Sequence, residues 1–217
     1  MRVVIVASGE PDAADVAWLD RAELVVAADG GAAWLDRAGR RPDLLVGDLD
    51  SAHHALVERL AAAGTVIERH PADKEASDTE LAIEAARTRG AREIVLLGAL
   101  GGDRLDHELA NLLLLADPSL ADPPVRLVRG AATVRVLHGG TRLEIQGDAG
   151  DIVTLLPLGG DASGVTTHGL RWPLEGATLR TGRSRGLSNE VVAAPASVSL
   201  DTGSLLVVHI HREEPSS

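Results

Sequence analysis

The sequence contains no cysteine, no phenylalanine and no tyrosine, and its only lysine is Lys74. Without cysteine the chain can form neither disulfide bonds nor thiolate metal sites, and it has no cysteine nucleophile. Because Phe and Tyr are absent as well, the core must be built from Leu, Val, Ile and Ala. Because three tryptophans are the only aromatic residues, the stacking surfaces that single-stranded nucleic-acid binders use are also scarce.

Long apolar runs and an excess of positive charge are missing too. No run approaches the roughly 20 residues of a membrane span, and the apolar start Val3–Ala7 is too short for a signal peptide. We therefore expect a cytoplasmic protein that does not enter a membrane. Residues 1–124 carry 23 acidic and 12 basic side chains, whereas residues 125–217 carry nine of each. An acidic surface repels phosphate backbones, which disfavours nucleic-acid binding.

The pattern of short elements changes near residue 130. Before it, β-branched runs alternate with helix-like segments, from Val3–Ala7 to Val125–Arg129. This alternation predicts an α/β domain with a mostly parallel, Rossmann-like sheet between two layers of helices. From about Ala132, short alternating segments are separated by glycine-bearing turns, which is typical of an all-β sandwich. We predict an α/β domain over residues 1–130 and a β-sandwich domain over residues 131–217.

Polar loops follow several of the predicted strands of the first domain. They are Asp29–Gly31, Gly47–Ser51, Asp73–Asp78 and Gly101–His107. Ligands of parallel sheets bind at the carboxyl ends of the strands, so these loops are expected to meet at one edge. Each loop alone is also compatible with an ordinary turn, because Gly, Asp and Ser are common turn residues.

Two of these loops have the carboxylates that a hard cation requires. Asp48 and Asp50 lie two residues apart after a predicted strand, and Mg²⁺ is usually shared between carboxylates and substrate phosphates. Asp78 begins a predicted helix that Ser77 can cap, with Glu80 three residues further on. The positive end of the helix dipole favours the ionised form of Asp78 and makes it a candidate metal ligand.

The same loops contain groups suited to phosphate. Lys74 offers a compact positive charge. The glycines before Arg104 let backbone N–H groups approach an anion, and its guanidinium can bind phosphate oxygens bidentately. Asp106 and His107 could orient Arg104, bind a metal through water or transfer a proton. Neither a dinucleotide-binding fingerprint nor a phosphate-binding P-loop is present.

Taken together and in order, six segments resemble the thiamine pyrophosphokinase family. They are Ala27–Ala32, Pro42–Ser51, Asp73–Ala82, Gly98–Asn111, Gly169–Leu174 and Gly186–Glu190. The resemblance covers nearly the whole chain. It implies a Mg²⁺-dependent transfer of diphosphate from ATP to the hydroxyl of thiamine, which leaves AMP, in a homodimer whose active sites lie between subunits.

The resemblance also implies roles for individual residues. Asp48, Asp50 and Asp78 would hold Mg²⁺ and, with Arg104, act in catalysis. The expected ATP site comprises Asp29, Gly30, Gly31, Ser51, Lys74, Arg104, Asp106 and His107. Ser188 and Asn189 would bind thiamine. Trp172 is a further candidate for thiamine, although a buried core position is the favoured interpretation for it. Asp103 departs from the family pattern by separating the glycine pair from Arg104.

Two other functions would use the same fold. A metal-dependent phosphohydrolase would use the same aspartates to hydrolyse a nucleotide without thiamine. A non-catalytic sensor would bind thiamine or a nucleotide without turnover. The presence of Asp48, Asp50, Asp78 and Arg104 together favours the enzyme over the sensor.

Overall fold

The computed structural model describes residues 1–49, 54–71, 73 and 75–212. The chain divides into two compact units, the first formed by residues 1–114 and 122–130 and the second by residues 115–121 and 131–217. None of the helices in the described part of the chain combines the length and apolar character needed to span a membrane.

The first unit contains a parallel sheet and its helices. Its strands are β1 (Arg2–Val6), β2 (Leu24–Ala28), β3 (Leu44–Gly47), β4 (Val66–Arg69), β5 (Glu93–Leu97) and β6 (Val125–Arg129). Its helices are α1 (Val16–Leu19), α2 (Gly31–Arg37), α3 (His54–Ala62), α4 (Asp78–Thr88) and α5 (Leu105–Leu114), with a 3₁₀ turn at Ala13–Asp15. The strands lie in the order β4-β3-β2-β1-β5-β6, and every neighbouring pair is parallel.

Burial explains the composition of these strands. β1, β2, β3 and β5 each contain a run of buried residues, as expected for parallel strands that are covered on both faces. One core cluster joins Val4 and Val6 of β1 to Leu35 of α2 and Leu60 of α3. The core is aliphatic, as the composition predicts.

The second unit is rich in β-strands. They are β7 (Ala132–His138), β8 (Thr141–Ile145), β9 (Ile152–Pro157), β10 (Ala162–His168), β11 (Ala177–Leu179), β12 (Asn189–Glu190), β13 (Ala196–Leu200) and β14 (Ser204–Ile210). Strands β12-β9-β14-β7 pair antiparallel, as do β11-β10-β13-β8. Both groups contribute to one aliphatic core, which contains Val153 and Leu205 from the first group and Val165 and Val198 from the second. The change from an α/β part to a β-rich part is thus confirmed.

One segment differs from what its residues suggest. The sequence of Asp12–Ala22 is compatible with a single helix, but only the 3₁₀ turn and the four-residue α1 form there. The N–H groups of Arg21 and Ala22 bond to carbonyls three residues back, which tightens the chain before β2 begins. Strand β10 pairs with β11 in a register that shifts between Ala162 and Val165, which interrupts the regular alternation of buried and exposed residues along the strand.

Candidate active site

A cleft opens at the carboxyl ends of β1, β2, β3 and β5. Its volume of about 470 Å³ lies within the range of roughly 300–1,000 Å³ that small-molecule sites occupy. Residues from the polar loops line it, together with residues that follow β1. They include Ser8, Gly9, Asp29, Asp48, Ser77, Asp78, Thr79, Gly101, Gly102, Asp103, Arg104, His107, Glu108 and Asn111. The strand-end rule therefore locates the cleft from sequence.

Three carboxylates meet at this edge. One carboxylate oxygen from each of Asp29, Asp48 and Asp78 lies within 4.8 Å of the others. Asp29 directly follows β2, Asp48 directly follows β3, and Asp78 is the first residue of α4. Because β2 and β3 are neighbours in the sheet, two aspartates that are 19 positions apart in sequence become adjacent in space.

The end of β3 lies very close to the carboxylates of Asp29 and Asp78. Gly47 has a φ of 149°, and a Cβ placed on it would lie 3.1 Å from both Asp29 Cβ and Asp78 Oδ1. A side chain here would press against two members of the cluster, so only glycine lets β3 run this close to them. Gly47 therefore brings the Asp48 carboxylate beside those of Asp29 and Asp78.

The helix that carries Asp78 begins as predicted. Ser77 Oγ accepts a hydrogen bond from Glu80 N (3.2 Å), and Ser77 N donates to Glu80 Oε2 (2.7 Å). This capping box confirms the expected start of α4 and fixes Asp78 in its first turn. There the helix dipole partly offsets the negative charge of the cluster.

The donor set of the cluster suits a hard divalent cation. Its members offer only carboxylate oxygens, which Mg²⁺ and Ca²⁺ prefer to nitrogen or sulfur ligands. Three like charges within 4.8 Å of one another repel, and a cation placed among them removes this repulsion. Asp29, Asp48 and Asp78 therefore fit a bound Mg²⁺.

Arg104 is held at the rim of the cleft by Asp106. Its Nε and Nη2 donate to the two carboxylate oxygens at 2.9 and 2.7 Å. The hydrogen bond from Arg104 holds the pKa of Asp106 well below its usual range, and the same bond raises the pKa of Arg104. Of the roles that the sequence leaves open for Asp106, the structure shows orientation of Arg104.

The following helix presents further polar groups to the cleft. His107, Glu108 and Asn111 of α5 all line it. Asn111 is buried, and its Nδ2 donates to Ala99 O at 2.9 Å, which ties α5 to the loop after β5. Glu108 was not singled out from the sequence, although it lies one position after His107 on the same helix.

Other expected ATP-site residues lie differently or outside the described chain. Gly30 precedes α2 and donates its N–H to Ser8 Oγ (3.1 Å), and Gly31 is the buried first residue of α2. Within the described part of the chain, neither glycine is among the residues that line the cleft. Asp50, Ser51 and Lys74 lie outside the described residues. Their roles stay predictions.

Sequence reasoning missed two features of this site. Asp29 was assigned to nucleotide binding, yet it belongs to the carboxylate cluster. Ser8 was not among the candidate residues, yet it lines the cleft and its Oγ bonds to the backbone of Ala28 and Gly30. Ser8 lies just after β1, so the rule that identified the other loops applies to it too, whereas the place of Asp29 in the cluster depends on β2 and β3 being neighbours.

The expected thiamine residues lie together in the second unit. The Oδ1 atom of Asn189 accepts from Trp172 N (3.1 Å), and Nδ2 donates to Trp172 O (2.7 Å). Ser188 N donates to Thr154 Oγ1 at 2.9 Å, and its side chain is exposed. The expectation of a core position for Trp172 is wrong. The residue is 58% exposed, because Asn189 holds its backbone while its ring lies beside the guanidinium of Arg171.

The two units match two family models in the same order along the chain. Residues 17–127 match the thiamin pyrophosphokinase catalytic domain, and residues 141–205 match the thiamin pyrophosphokinase vitamin B1 binding domain. The chain belongs to the thiamine pyrophosphokinase family. The first match contains the carboxylate cluster, and the second contains Trp172, Ser188 and Asn189.

Individual relatives agree with this assignment. The chain is 26% identical to a thiamine pyrophosphokinase of Bacillus subtilis, over 88% of this chain and 89% of the relative. It is 28% identical to thiamine pyrophosphokinase 1 of Oryza sativa, over 92% of this chain and 83% of the relative. A crystal structure of thiamine pyrophosphokinase from Bacillus subtilis shares the fold, with a TM-score of 0.86 at 24% identity, and the match covers 98% of this chain and 100% of that one.

Proposed function

We propose that this protein is a thiamine diphosphokinase, which transfers an intact diphosphate from ATP to the hydroxyl group of thiamine and releases AMP. The observation that carries the proposal is the pairing of the two family models with a carboxylate cluster at the strand ends of the first matched segment. The matches to the two relatives named above, both thiamine pyrophosphokinases, cover most of the length of each relative.

The carboxylates define the metal part of the site. Asp29, Asp48 and Asp78 are placed to hold Mg²⁺, and Asp50 is proposed as a further ligand from the sequence. When bound, the ion would neutralise charge on the phosphates of ATP, which the acidic cleft would otherwise repel. We therefore propose a metal-binding role for Asp29 in addition to the nucleotide-binding role that the resemblance implies.

The basic groups define the phosphate part. Arg104 lies at the rim of the cleft with its guanidinium plane fixed by Asp106, so it is pre-oriented to bind phosphate oxygens. Lys74 is proposed to add a second positive charge. Both would stabilise the charge that develops when the thiamine hydroxyl attacks the β-phosphorus in line, and catalysis would rest on positioning and electrostatics. His107 lines the cleft and is the candidate for accepting the hydroxyl proton.

The thiamine part is proposed in the second unit. The exposed ring of Trp172 and the exposed side chain of Ser188 are available to a ligand, whereas the amide of Asn189 is occupied by the backbone of Trp172. Asn189 therefore acts on thiamine by holding Trp172 in place. The same proposal includes a Rossmann-like first unit, a β-sandwich second unit, the domain limits 1–130 and 131–217, and a cytoplasmic location.

We also propose that the enzyme is a homodimer. Leu105, Leu109 and Leu113 of α5 are largely exposed, and their spacing of four residues places them on one face of the helix. Such an apolar stripe is typical of an interface between subunits. Leu109→Glu should shift the protein from dimer to monomer in sedimentation experiments, whereas Glu84→Gln on the exposed face of α4 should not. A wild-type monomer would contradict the proposal.

The function is tested by its products. The protein is incubated with ATP, Mg²⁺ and thiamine, and thiamine diphosphate and AMP are expected in equal amounts. Formation of ADP and thiamine monophosphate would contradict diphosphate transfer. Nucleotide hydrolysis that needs no thiamine would indicate the phosphohydrolase, and thiamine binding without turnover would indicate the sensor.

A further inference from the structure

A second group of possible metal ligands lies in the β-rich unit, in residues with no part in the proposed reaction. It consists of Asp151, which precedes β9, His209 of β14, and His211, which follows β14. Asp151 Oδ2 lies 2.9 Å from His209 Nε2 and 3.0 Å from His211 Nδ1. The two histidines lie beyond residues 141–205, which match the vitamin B1 binding model.

These distances fit shared coordination of one ion. Two ligand atoms bound about 2.1 Å from a divalent metal are about 3.0 Å apart at the 90° angle of a six-coordinate site and about 3.4 Å apart at a tetrahedral angle. The Asp151 oxygen has the shorter of these spacings from both imidazole nitrogens. All three atoms lie within 4.8 Å of one another. They can therefore occupy three positions around a single ion, and water can fill the others because His211 is exposed.

The surroundings hold the carboxylate in this orientation. Asp151 Oδ1 accepts a hydrogen bond from Arg212 N (2.9 Å), and Oδ2 accepts one from Asp148 N (3.1 Å). Burial raises the pKa of Asp151, but the hydrogen bonds from Arg212, His209 and Asp148 outweigh it and leave the pKa lowered. Two backbone N–H groups thus hold the carboxylate facing the imidazoles of His209 and His211.

Gly147 packs closely against the ligand atoms. A Cβ on this residue would lie 2.7 Å from both Asp151 Oδ2 and His209 Nε2. Any other residue at position 147 would place a methyl group or more against these two atoms. The loop between β8 and β9 thus approaches the carboxylate and the imidazole so closely that glycine is required at position 147.

We propose that Asp151, His209 and His211 form a binding site for one divalent transition-metal ion, of the Zn²⁺ class. Two imidazoles and one carboxylate are the donor set of borderline ions such as Zn²⁺, Co²⁺ and Ni²⁺, in contrast to the all-oxygen cluster of the first unit. The ion joins the end of the last strand, β14, to the loop before β9. Its role is structural, since it fixes the residues at the end of β14 to the loop before β9.

The test uses Co²⁺ as a spectroscopic probe and Zn²⁺ in calorimetry. Both are titrated into full-length protein carrying Asp48→Asn and Asp78→Asn, which removes the carboxylate cluster of the first unit. One equivalent of Co²⁺ is expected to bind with visible absorption typical of nitrogen ligands, and Zn²⁺ is expected to compete for it. Failure of this protein to bind either ion would overturn the proposal without affecting the proposed function.

Two ligand variants and a matched control complete the test. In the same background, His211→Ala should weaken Zn²⁺ binding at least about tenfold, and it should not impair folding because the side chain is exposed. His209→Ala should weaken binding as well. His168→Ala, an exposed histidine of β10, should leave binding unchanged. Equal affinity in the His211→Ala, His209→Ala and His168→Ala proteins would contradict the assignment.

Discussion

The two clusters of potential metal ligands among the described residues differ in composition and in the way the fold builds them. The cluster of the first unit, Asp29, Asp48 and Asp78, has only carboxylate oxygens and gathers them from strand ends and a helix start. The cluster of the second unit, Asp151, His209 and His211, combines one carboxylate with two imidazoles beside a strand end. The first suits a hard ion shared with phosphates, and the second suits a borderline ion.

Removal of all metal should separate the two sites most clearly. After treatment with a chelator, diphosphate transfer should be abolished and should return with Mg²⁺, because the oxygen cluster serves the reaction. Zn²⁺ should raise the melting temperature of the chelated protein through the second cluster. Activity assays and thermal unfolding of the same samples measure both effects. Full activity in the chelated protein would contradict a role of the Asp29, Asp48 and Asp78 cluster in the reaction.

Substitution within the first cluster should have the next largest effect. Asp48→Asn should lower kcat on the order of 100-fold or more, since charge stabilisation by a positioned ion contributes several kcal/mol to catalysis. The melting temperature should stay the same or rise, because one of three repelling carboxylates is gone. Asp20→Asn, in an exposed ion pair with Arg40, is the matched control. Wild-type activity in Asp48→Asn would show that the cluster does not hold the catalytic ion.

In the second unit, the exposed tryptophan should affect thiamine alone. Trp172→Ala should raise KM for thiamine about tenfold through loss of an aromatic contact, while KM for ATP stays within about twofold. Val192→Ala, another exposed apolar residue of this unit, should change neither constant. Steady-state kinetics with each substrate varied in turn provide the measurement. An equal rise in both constants would argue against a thiamine-specific role.

Two buried aspartates, Asp15 in the first unit and Asp151 in the second, differ in the direction of their pKa shift. Asp15 in the first unit accepts hydrogen bonds from Asp12 N (2.7 Å) and Gly130 N (2.9 Å). Burial raises its pKa more than these bonds lower it, whereas the pKa of Asp151 is lowered. Asp15→Asn loses one charged acceptor for these half-buried N–H groups and should reduce the free energy of unfolding by about 1–3 kcal/mol.

The pH dependence of this loss has a definite sign. With its raised pKa, the folded chain binds a proton at Asp15 more tightly than the unfolded chain does. The stability due to this group therefore falls as the pH rises above the unfolded value of 3.8. The difference in urea unfolding between wild type and Asp15→Asn should be larger at pH 5 than at pH 7. A difference that grows with pH would contradict the raised pKa.

Features that depend on local pattern or on strand ends were predictable from sequence. The capping box at Ser77 and Glu80, the aliphatic core and the polar loops at the strand ends follow from residue types and from the rule for parallel sheets. The position of Asp29 beside Asp48 did not follow, because it depends on which strands are neighbours. The exposure of Trp172 depends on hydrogen bonds to Asn189, 17 residues away.

The second cluster was harder to recognise for the same reason. His209 and His211 are two positions apart, so they point to one side of an extended chain. Their partner Asp151 lies 58 residues before His209 and meets it only because β9 pairs with β14. A His-x-His pattern at a strand end was the available signal, but without the pairing it indicates nothing about a third ligand.

The most direct test of the central claim follows the phosphorus atoms of ATP. The protein is given thiamine, Mg²⁺ and ATP labelled at either the β- or the γ-phosphorus, and the label is located in the products. Diphosphate transfer predicts that both labels appear in thiamine diphosphate and that AMP carries neither. A β-label recovered in ADP, with only the γ-label on thiamine, would contradict the account.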